Sequence, residues 1–118
     1  EMYLNYAEAV KRGGTGGSDA QAITYLNNIR QRAYGNATGN IASYDLPFIL
    51  NERSRELYWE GLRRTDLVRF GQFTDASYLW PWKGGVKDGR AVEDFRKIYP
   101  LPASEVAANP NLKQNTGY

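Results

Sequence analysis

Residues 51–71 read NERSRELYWEGLRRTDLVRFG, and this stretch decides which fold the chain can adopt. It places four acidic side chains and five arginines among leucines, a tyrosine, a tryptophan and a phenylalanine. On a helical wheel with about 100° per residue, the charges alternate with the apolar side chains and leave no purely polar face for water. The pattern therefore predicts a helix that is packed on several sides, with its charges paired.

The spacing of the charges supports pairing within this helix, because residues three or four apart are neighbours on a helix surface. Pairs with this spacing are Glu52–Arg55, Arg53–Glu56, Glu60–Arg63 and Glu60–Arg64. An arginine suits a partly buried pair because its planar guanidinium can donate two hydrogen bonds to one carboxylate. Asp66 can pair with an arginine one turn away or across a turn. We therefore predict a structural ion-pair motif made of Glu52, Arg53, Glu56, Glu60, Arg63, Arg64, Asp66 and Arg69.

The composition argues against catalysis and against bound metals. The chain has 118 residues and contains neither cysteine nor histidine, which excludes the Ser-His-Asp and Cys-His types of nucleophilic catalysis within it. Each acid of residues 51–71 has an arginine within one helical turn. A nearby cation lowers the pKa of a carboxyl group, whereas a general acid of a glycosidase needs a raised pKa. We predict no catalytic residue, no metal site, no cofactor and no enzymatic activity.

The charge balance and hydropathy exclude two further classes of partner. Fifteen basic and 13 acidic side chains give a net charge of only +2, which offers no broad patch for nucleic acid. No apolar run is long enough to span a bilayer. The chain begins directly in a helical pattern, EMYLNYAEAVKR, and shows no signal peptide. We expect it to be a piece of a longer protein, with any targeting segment upstream.

The remaining pattern predicts an all-α fold with long irregular loops. Glycine-rich breaks, GGTGGSD and YGNATGN, separate the first helices. Predicted helices cover residues 2–12, 19–33, 45–61 and 65–71, followed by a short one that Ser104 caps and that ends at Ala108. Thr65 is the expected cap of the fourth helix. We predict one domain, in which residues 1–71 form a tetratricopeptide-like helical scaffold and residues 72–118 form an irregular aromatic and glycine-rich segment packed on it.

Two motifs give the chain a resemblance to a known family. The stretch at residues 52–71 matches ER-x-x-EL-x-x-EG-x-R-x-x-DL-x-R-x-G, and residues 99–118 contain YPLP, then NPNL, QN and GY. Together they resemble the C-terminal region of the SusD/RagB family of nutrient-binding lipoproteins. Residues 7–33, with the segment LNNIRQRA, look like a helix pair of that family's tetratricopeptide-like scaffold.

The resemblance implies a function, a location and a partner. It implies binding of an oligo- or polysaccharide at the outer-membrane surface, for uptake through a SusC-like TonB-dependent transporter, without catalysis. It also implies a lipid anchor on an upstream cysteine, since this chain has none. The alternative is a helical-repeat module for protein–protein interaction that has no sugar site.

The local candidates for ligand binding are Tyr78, Trp80 and Trp82, three rings within five residues of a predicted loop. An aromatic ring can stack on the apolar face of a sugar, and recognition residues are concentrated in loops. Two other interpretations stay open at this point. The rings could cover the helices as a small satellite core, or they could contact the transporter.

Overall fold

The computed structural model describes residues 1–118 and contains helices but no strands. The α-helices are α1 (Met2–Lys11), α2 (Asp19–Tyr34), α3 (Leu46–Glu56), α4 (Arg63–Arg69) and α5 (Ala103–Ala108). Short 3-10 helices lie at Ala37–Gly39, Lys83–Gly85 and Asp94–Lys97. The all-α prediction is confirmed, and no helix has both the length and the apolar character needed to cross a membrane.

The chain divides into two compact units, with the boundary inside α4. We call Glu1–Asp66 the helical unit and Leu67–Tyr118 the loop unit. The predicted organisation, one domain with a change of character after residue 71, stays a prediction.

The helical unit is built from α1, α2 and α3, with α1 packed against both others. Ser18 is the N-cap of α2, and its hydroxyl accepts a hydrogen bond of 3.2 Å from the Gln21 amide. Gly35, in the left-handed region at φ 72°, ends α2. The apolar faces of the three helices meet in a core made of Leu4, Ala7, Ala22, Leu26, Ile29, Tyr44, Ile49 and Leu57.

Helix α3 begins as predicted and ends earlier. The Asp45 carboxylate accepts a 2.7 Å hydrogen bond from the Phe48 amide, and a proline lies in the first turn. The helix stops at Glu56 rather than near residue 61, so this part of the prediction is wrong. Trp59 and Gly61 adopt left-handed φ values of 70° and 75°, which no helix can contain. Residues 58–61 therefore form a turn between α3 and α4.

Two smaller boundaries also differ from the prediction. Helix α4 begins at Arg63, so Thr65 lies inside the helix and does not cap it. Helix α5 begins at Ala103, so Ser104 is likewise inside. In both cases a residue type that is common at helix N-caps lies in the first turn of the helix instead.

The loop unit is held by polar contacts rather than by a large apolar core. Lys83 is only 2 % exposed, and its ammonium group donates hydrogen bonds to the carbonyl oxygens of Gln72, Asp75 and Tyr78, at 3.4, 2.6 and 2.7 Å. A buried ammonium group is stable only when its protons find acceptors. The lysine therefore ties the segment from residue 72 to residue 83 into a closed loop.

The end of the chain is fixed by a second set of contacts. The Gln114 side chain bonds both the amide and the carbonyl of Leu101, at 2.8 and 2.9 Å. The Tyr118 hydroxyl donates to the carbonyl of Ile98 at 2.7 Å, and its ring meets Phe95 edge to face at 4.8 Å. These contacts fold the final segment back onto its own unit.

Candidate functional site

The centre of the charged stretch is a buried ion pair. Arg53 Nε donates to Asp66 Oδ2 at 2.8 Å, and the two side chains are only 5 % and 4 % exposed. Arg53 Nη1 donates to Asn5 Oδ1 at 2.7 Å. The guanidinium thus joins α1, α3 and α4, which fits the prediction that Asp66 pairs with an arginine across a turn.

The other carboxylates of α3 contact arginines of α2. Glu52 accepts from Arg30 at 2.9 Å and from Arg55 at 2.5 Å, the latter with the predicted spacing. Glu56 accepts two hydrogen bonds from Arg32, at 2.6 and 2.5 Å. These contacts between neighbouring helices show how the charges of α3 are accommodated inside a packed scaffold.

Three predicted pairs stay predictions, and the structure gives their residues other surroundings. Arg53 contacts Asp66 of α4, and Glu56 contacts Arg32 of α2. Glu60 lies in the turn after α3 and is exposed. Because α3 ends at Glu56, Glu60 lies outside the helices that hold its predicted partners, and the spacing rule for neighbours holds only within a continuous helix.

The remaining arginines of the predicted motif have other surroundings. Arg63 Nη1 donates to the carbonyl of Leu50 at 2.8 Å, and Arg64 is half-buried in α4. The Arg69 guanidinium lies 5.0 Å from the Phe70 ring, and burial lowers the pKa of that arginine. The stabilising role of the motif as a whole stays a proposal.

A pocket of about 550 Å³ lies in the helical unit, at the turn after α3. Tyr58 and Trp59 line it, are 75 % and 88 % exposed, and meet edge to face at 6.2 Å. The sequence pattern predicts both rings inside a packed helix and gives no sign of this exposed surface. Gly61, two residues after a tryptophan, was the available signal for a turn.

The predicted ligand-binding rings fall into two groups in the loop unit. Tyr78 and Trp80 are half-buried, with ring centres 6.1 Å apart, and Phe73 lies 6.0 Å from Trp80. Trp82 is 69 % exposed. Lys83 Nζ lies 4.6 Å from the centre of the Trp80 ring, a cation–π contact that holds this ring in place. Two rings therefore serve the packing of the loop, and one faces solvent.

Trp82 is exposed because of its backbone conformation. Its φ of 69° lies in the left-handed region, which costs energy for any residue with a Cβ atom. The residue immediately precedes the 3-10 helix Lys83–Gly85, whose lysine points inward. The strained turn thus buries Lys83 and presents the neighbouring indole to solvent, where its flat face is available to a ligand.

Beside these rings lies a second pocket, of about 370 Å³, within the loop unit. Its lining combines rings, glycines and charges: Phe73, Trp80, Lys83, Gly84, Gly85, Arg90, Val92, Glu93 and Arg96. The hydrogen bond from Arg96, at 2.7 Å, is the main reason that the pKa of Glu93 lies below its usual value. Of these residues only Trp80 is among the ligand-binding candidates that the sequence predicts, since the others come together through loop folding alone.

Comparison with known proteins places these features in a family. The SusD family model matches residues 1–118. Starch-binding protein SusD from Bacteroides thetaiotaomicron is 42 % identical over 118 residues, which is 100 % of this chain and 20 % of that protein. The match agrees with the family that the two sequence motifs predict.

Solved structures give the same relationship. Surface glycan-binding protein A from Bacteroides thetaiotaomicron superposes with a TM-score of 0.73 at 36 % identity, covering 97 % of this chain and 22 % of that one. Surface glycan-binding protein A from Bacteroides uniformis gives 0.71 and 35 %, covering 96 % and 25 %. The chain thus spans about a fifth to a quarter of the length of these relatives. These relatives are named for binding starch and glycans.

Proposed function

The chain belongs to the SusD family, and from this premise we propose that it contributes to glycan binding at the outer-membrane surface, for uptake through a SusC-like TonB-dependent transporter. Starch-binding protein SusD, at 42 % identity, supports a glucan or a related polysaccharide as the ligand. The lipid anchor on an upstream cysteine belongs to the same proposal.

The observation that carries a sugar contact within this chain is the exposed indole of Trp82. A sugar ring offers an apolar face to an aromatic plane, and a ring that is already ordered loses little entropy on binding. Trp82 is fixed by a strained turn and by the buried Lys83 next to it. Tyr78 and Trp80 are half-buried in the same loop, with ring centres 6.1 Å apart. We assign direct contact to Trp82 and a supporting role to Tyr78 and Trp80.

Calorimetry with maltoheptaose tests this assignment, and the chain offers a matched control. Trp82 and Trp59 are both exposed tryptophans with left-handed φ, one in each unit. Trp82→Ala should weaken binding roughly tenfold, the loss of about 1.4 kcal/mol that an aromatic contact can supply. Trp59→Ala should leave the Kd unchanged. Equal affinity of both variants and the unsubstituted chain would remove Trp82 from the site.

The transporter contact needs its own experiment, because glycan binding does not imply it. The chain, immobilised on a resin, is incubated with a detergent-solubilised SusC-like transporter from the same gene cluster. Retention of the transporter, and its absence from a resin carrying an unrelated helical-repeat protein, is the expected result. No retention would restrict the proposal to glycan binding.

The runner-up function, a protein-interaction module without a sugar site, has one observation in its favour. Tyr58 and Trp59 are the most exposed rings of the helical unit and flank its large pocket. Under this alternative, Trp59→Ala abolishes partner retention and no variant binds glycan. Calorimetry and retention on the same two tryptophan variants therefore distinguish the two functions.

A further inference from the structure

We infer that the pocket of the loop unit selects glycans that carry carboxylates, such as chains containing uronic acids, and that Arg90 contacts the carboxylate. This inference rests on the proposed glycan binding and names the class of sugar. It concerns the pocket of about 370 Å³, which is separate in its lining from the exposed Trp82.

The pocket has walls suited to a sugar ring. Phe73 and Trp80 contribute aromatic surface on one part of the lining. Gly84 and Gly85 contribute backbone without side chains, at φ values of 66° and 78° that favour glycine. A Cβ atom on Gly84 would come within 2.7 Å of Arg90 Cγ, so this glycine is what allows the arginine to lie across the loop.

The charges of the pocket favour an anion. The lining contains three cations, Lys83, Arg90 and Arg96, and one carboxylate, Glu93. Arg96 and Glu93 neutralise each other in an ion pair of 2.7 Å. The lining keeps a positive balance, because the remaining charges of Lys83 and Arg90 exceed the single carboxylate. Side-chain hydrogen bonds are the main cause of the lowered pKa of Glu93 and of Asp75; Arg90 acts on Glu93 and Lys83 on Asp75 only through their fields, which lower the pKa of both carboxyl groups further.

The buried lysine contributes through its field rather than by contact. Its three acceptors are all carbonyl oxygens, which carry partial charges and do not neutralise an ammonium group. In the weakly screening interior, such a charge interacts more strongly with a nearby anion than it would in water. Lys83 is therefore a fixed positive charge in the wall of the pocket.

Arg90 is the group that can touch the ligand. Its side chain is exposed, and its Nε donates to the carbonyl of Gly84 at 3.0 Å, which fixes the direction of the guanidinium. The terminal nitrogens can then offer the paired N–H groups that match the two oxygens of a carboxylate. A neutral sugar has no carboxylate to interact with the positive charges of Lys83 and Arg90. The pocket should therefore bind an acidic sugar more tightly than a neutral one.

Calorimetry on the full chain tests the inference with two oligosaccharides of equal length, tetragalacturonic acid and maltotetraose. At low salt the acidic oligosaccharide should bind at least tenfold more tightly. Arg90→Gln should remove this preference, because the acidic oligosaccharide should lose much more affinity than maltotetraose. Lys87→Gln is the matched control, because Lys87 is an exposed cation of the same loop outside the pocket lining and carries the same charge. It should change neither affinity by more than about twofold.

Further outcomes separate the inference from the proposed function. Equal binding of the two oligosaccharides, or equal losses in Arg90→Gln and Lys87→Gln, overturns the inference and leaves the glycan-binding function intact. Absence of binding to acidic and neutral oligosaccharides alike overturns both. Arg90→Lys guards against misfolding, since it keeps the charge without the fork and should retain only part of the preference. Retained maltotetraose binding shows that each variant is folded.

Discussion

The two units of the chain differ in the kind of side chain that they bury. Of the ten buried apolar residues, nine lie in the helical unit, and only Leu67 lies in the loop unit. The buried residues of the loop unit otherwise include Thr74 and Lys83, whose polar groups are hydrogen-bonded. The helical unit thus has an apolar core and a buried ion pair, whereas the loop unit has a polar centre with aromatic rings around it.

The difference follows from where the backbone finds its hydrogen bonds. A helix satisfies its own amides and carbonyls, so its side chains are free to build an apolar core. An irregular segment must find partners for its carbonyls elsewhere, and in the loop unit one lysine serves three of them. Charged groups in the helical unit form ion pairs between neighbouring helices, whereas in the loop unit a buried lysine lies where an apolar core would be.

The largest expected effect is on the buried ion pair of the helical unit. Asp66→Asn keeps the shape of the side chain and leaves Arg53 charged and buried, which should lower the free energy of unfolding by about 3 kcal/mol. Chemical denaturation of both proteins measures the difference. Glu60→Gln, an exposed acid of the same stretch, is the control and should change stability by less than about 0.5 kcal/mol. Equal losses in the two variants would contradict the distinction between paired and unpaired acids.

A smaller effect is expected in the loop unit. Lys83→Met keeps the length of the side chain and removes the donors to three carbonyls. Unsatisfied buried acceptors cost about 1–3 kcal/mol each, and partial access of water should limit the total to about 2 kcal/mol. Hydrogen exchange should rise across residues 72–90 and stay unchanged in α1, α2 and α3. Lys87→Met is the matched control, and increased exchange throughout both units would show that they do not open separately.

The smallest effect concerns pH. The pKa of Asp19 lies below its usual value, chiefly because Lys11 donates to it at 2.8 Å and also because the Tyr44 hydroxyl donates at 3.0 Å. A carboxylate with a depressed folded pKa stabilises the fold above its unfolded pKa, and this contribution is lost as the pH falls below about 4. Asp19→Asn should therefore flatten the acid limb of the stability curve of the helical unit. Asp88→Asn, which changes an exposed acid of the loop unit, should leave that limb as it is.

Much of the helical unit could be predicted from local sequence. The glycines, the Ser18 cap and the apolar spacing give α1 and α2 nearly their observed bounds, because these signals act over a few residues. The charged stretch predicts pairing, and the motif at residues 52–71 predicts the family that the comparisons confirm. The charged stretch does not indicate that Glu52 and Glu56 pair with Arg30 and Arg32, because these two arginines lie on another helix, α2.

What only the tertiary structure decided is the arrangement of the loops and of the candidate site. Nothing in the letters LWPWKGG indicates that Lys83 turns inward while Trp82 turns outward, or that Arg90 comes to lie against Gly84. Helix signals are local and repeat with a fixed period, so they can be read from sequence. Loop contacts join residues through backbone carbonyls that every residue type shares, and only the folded chain determines which carbonyl meets which side chain.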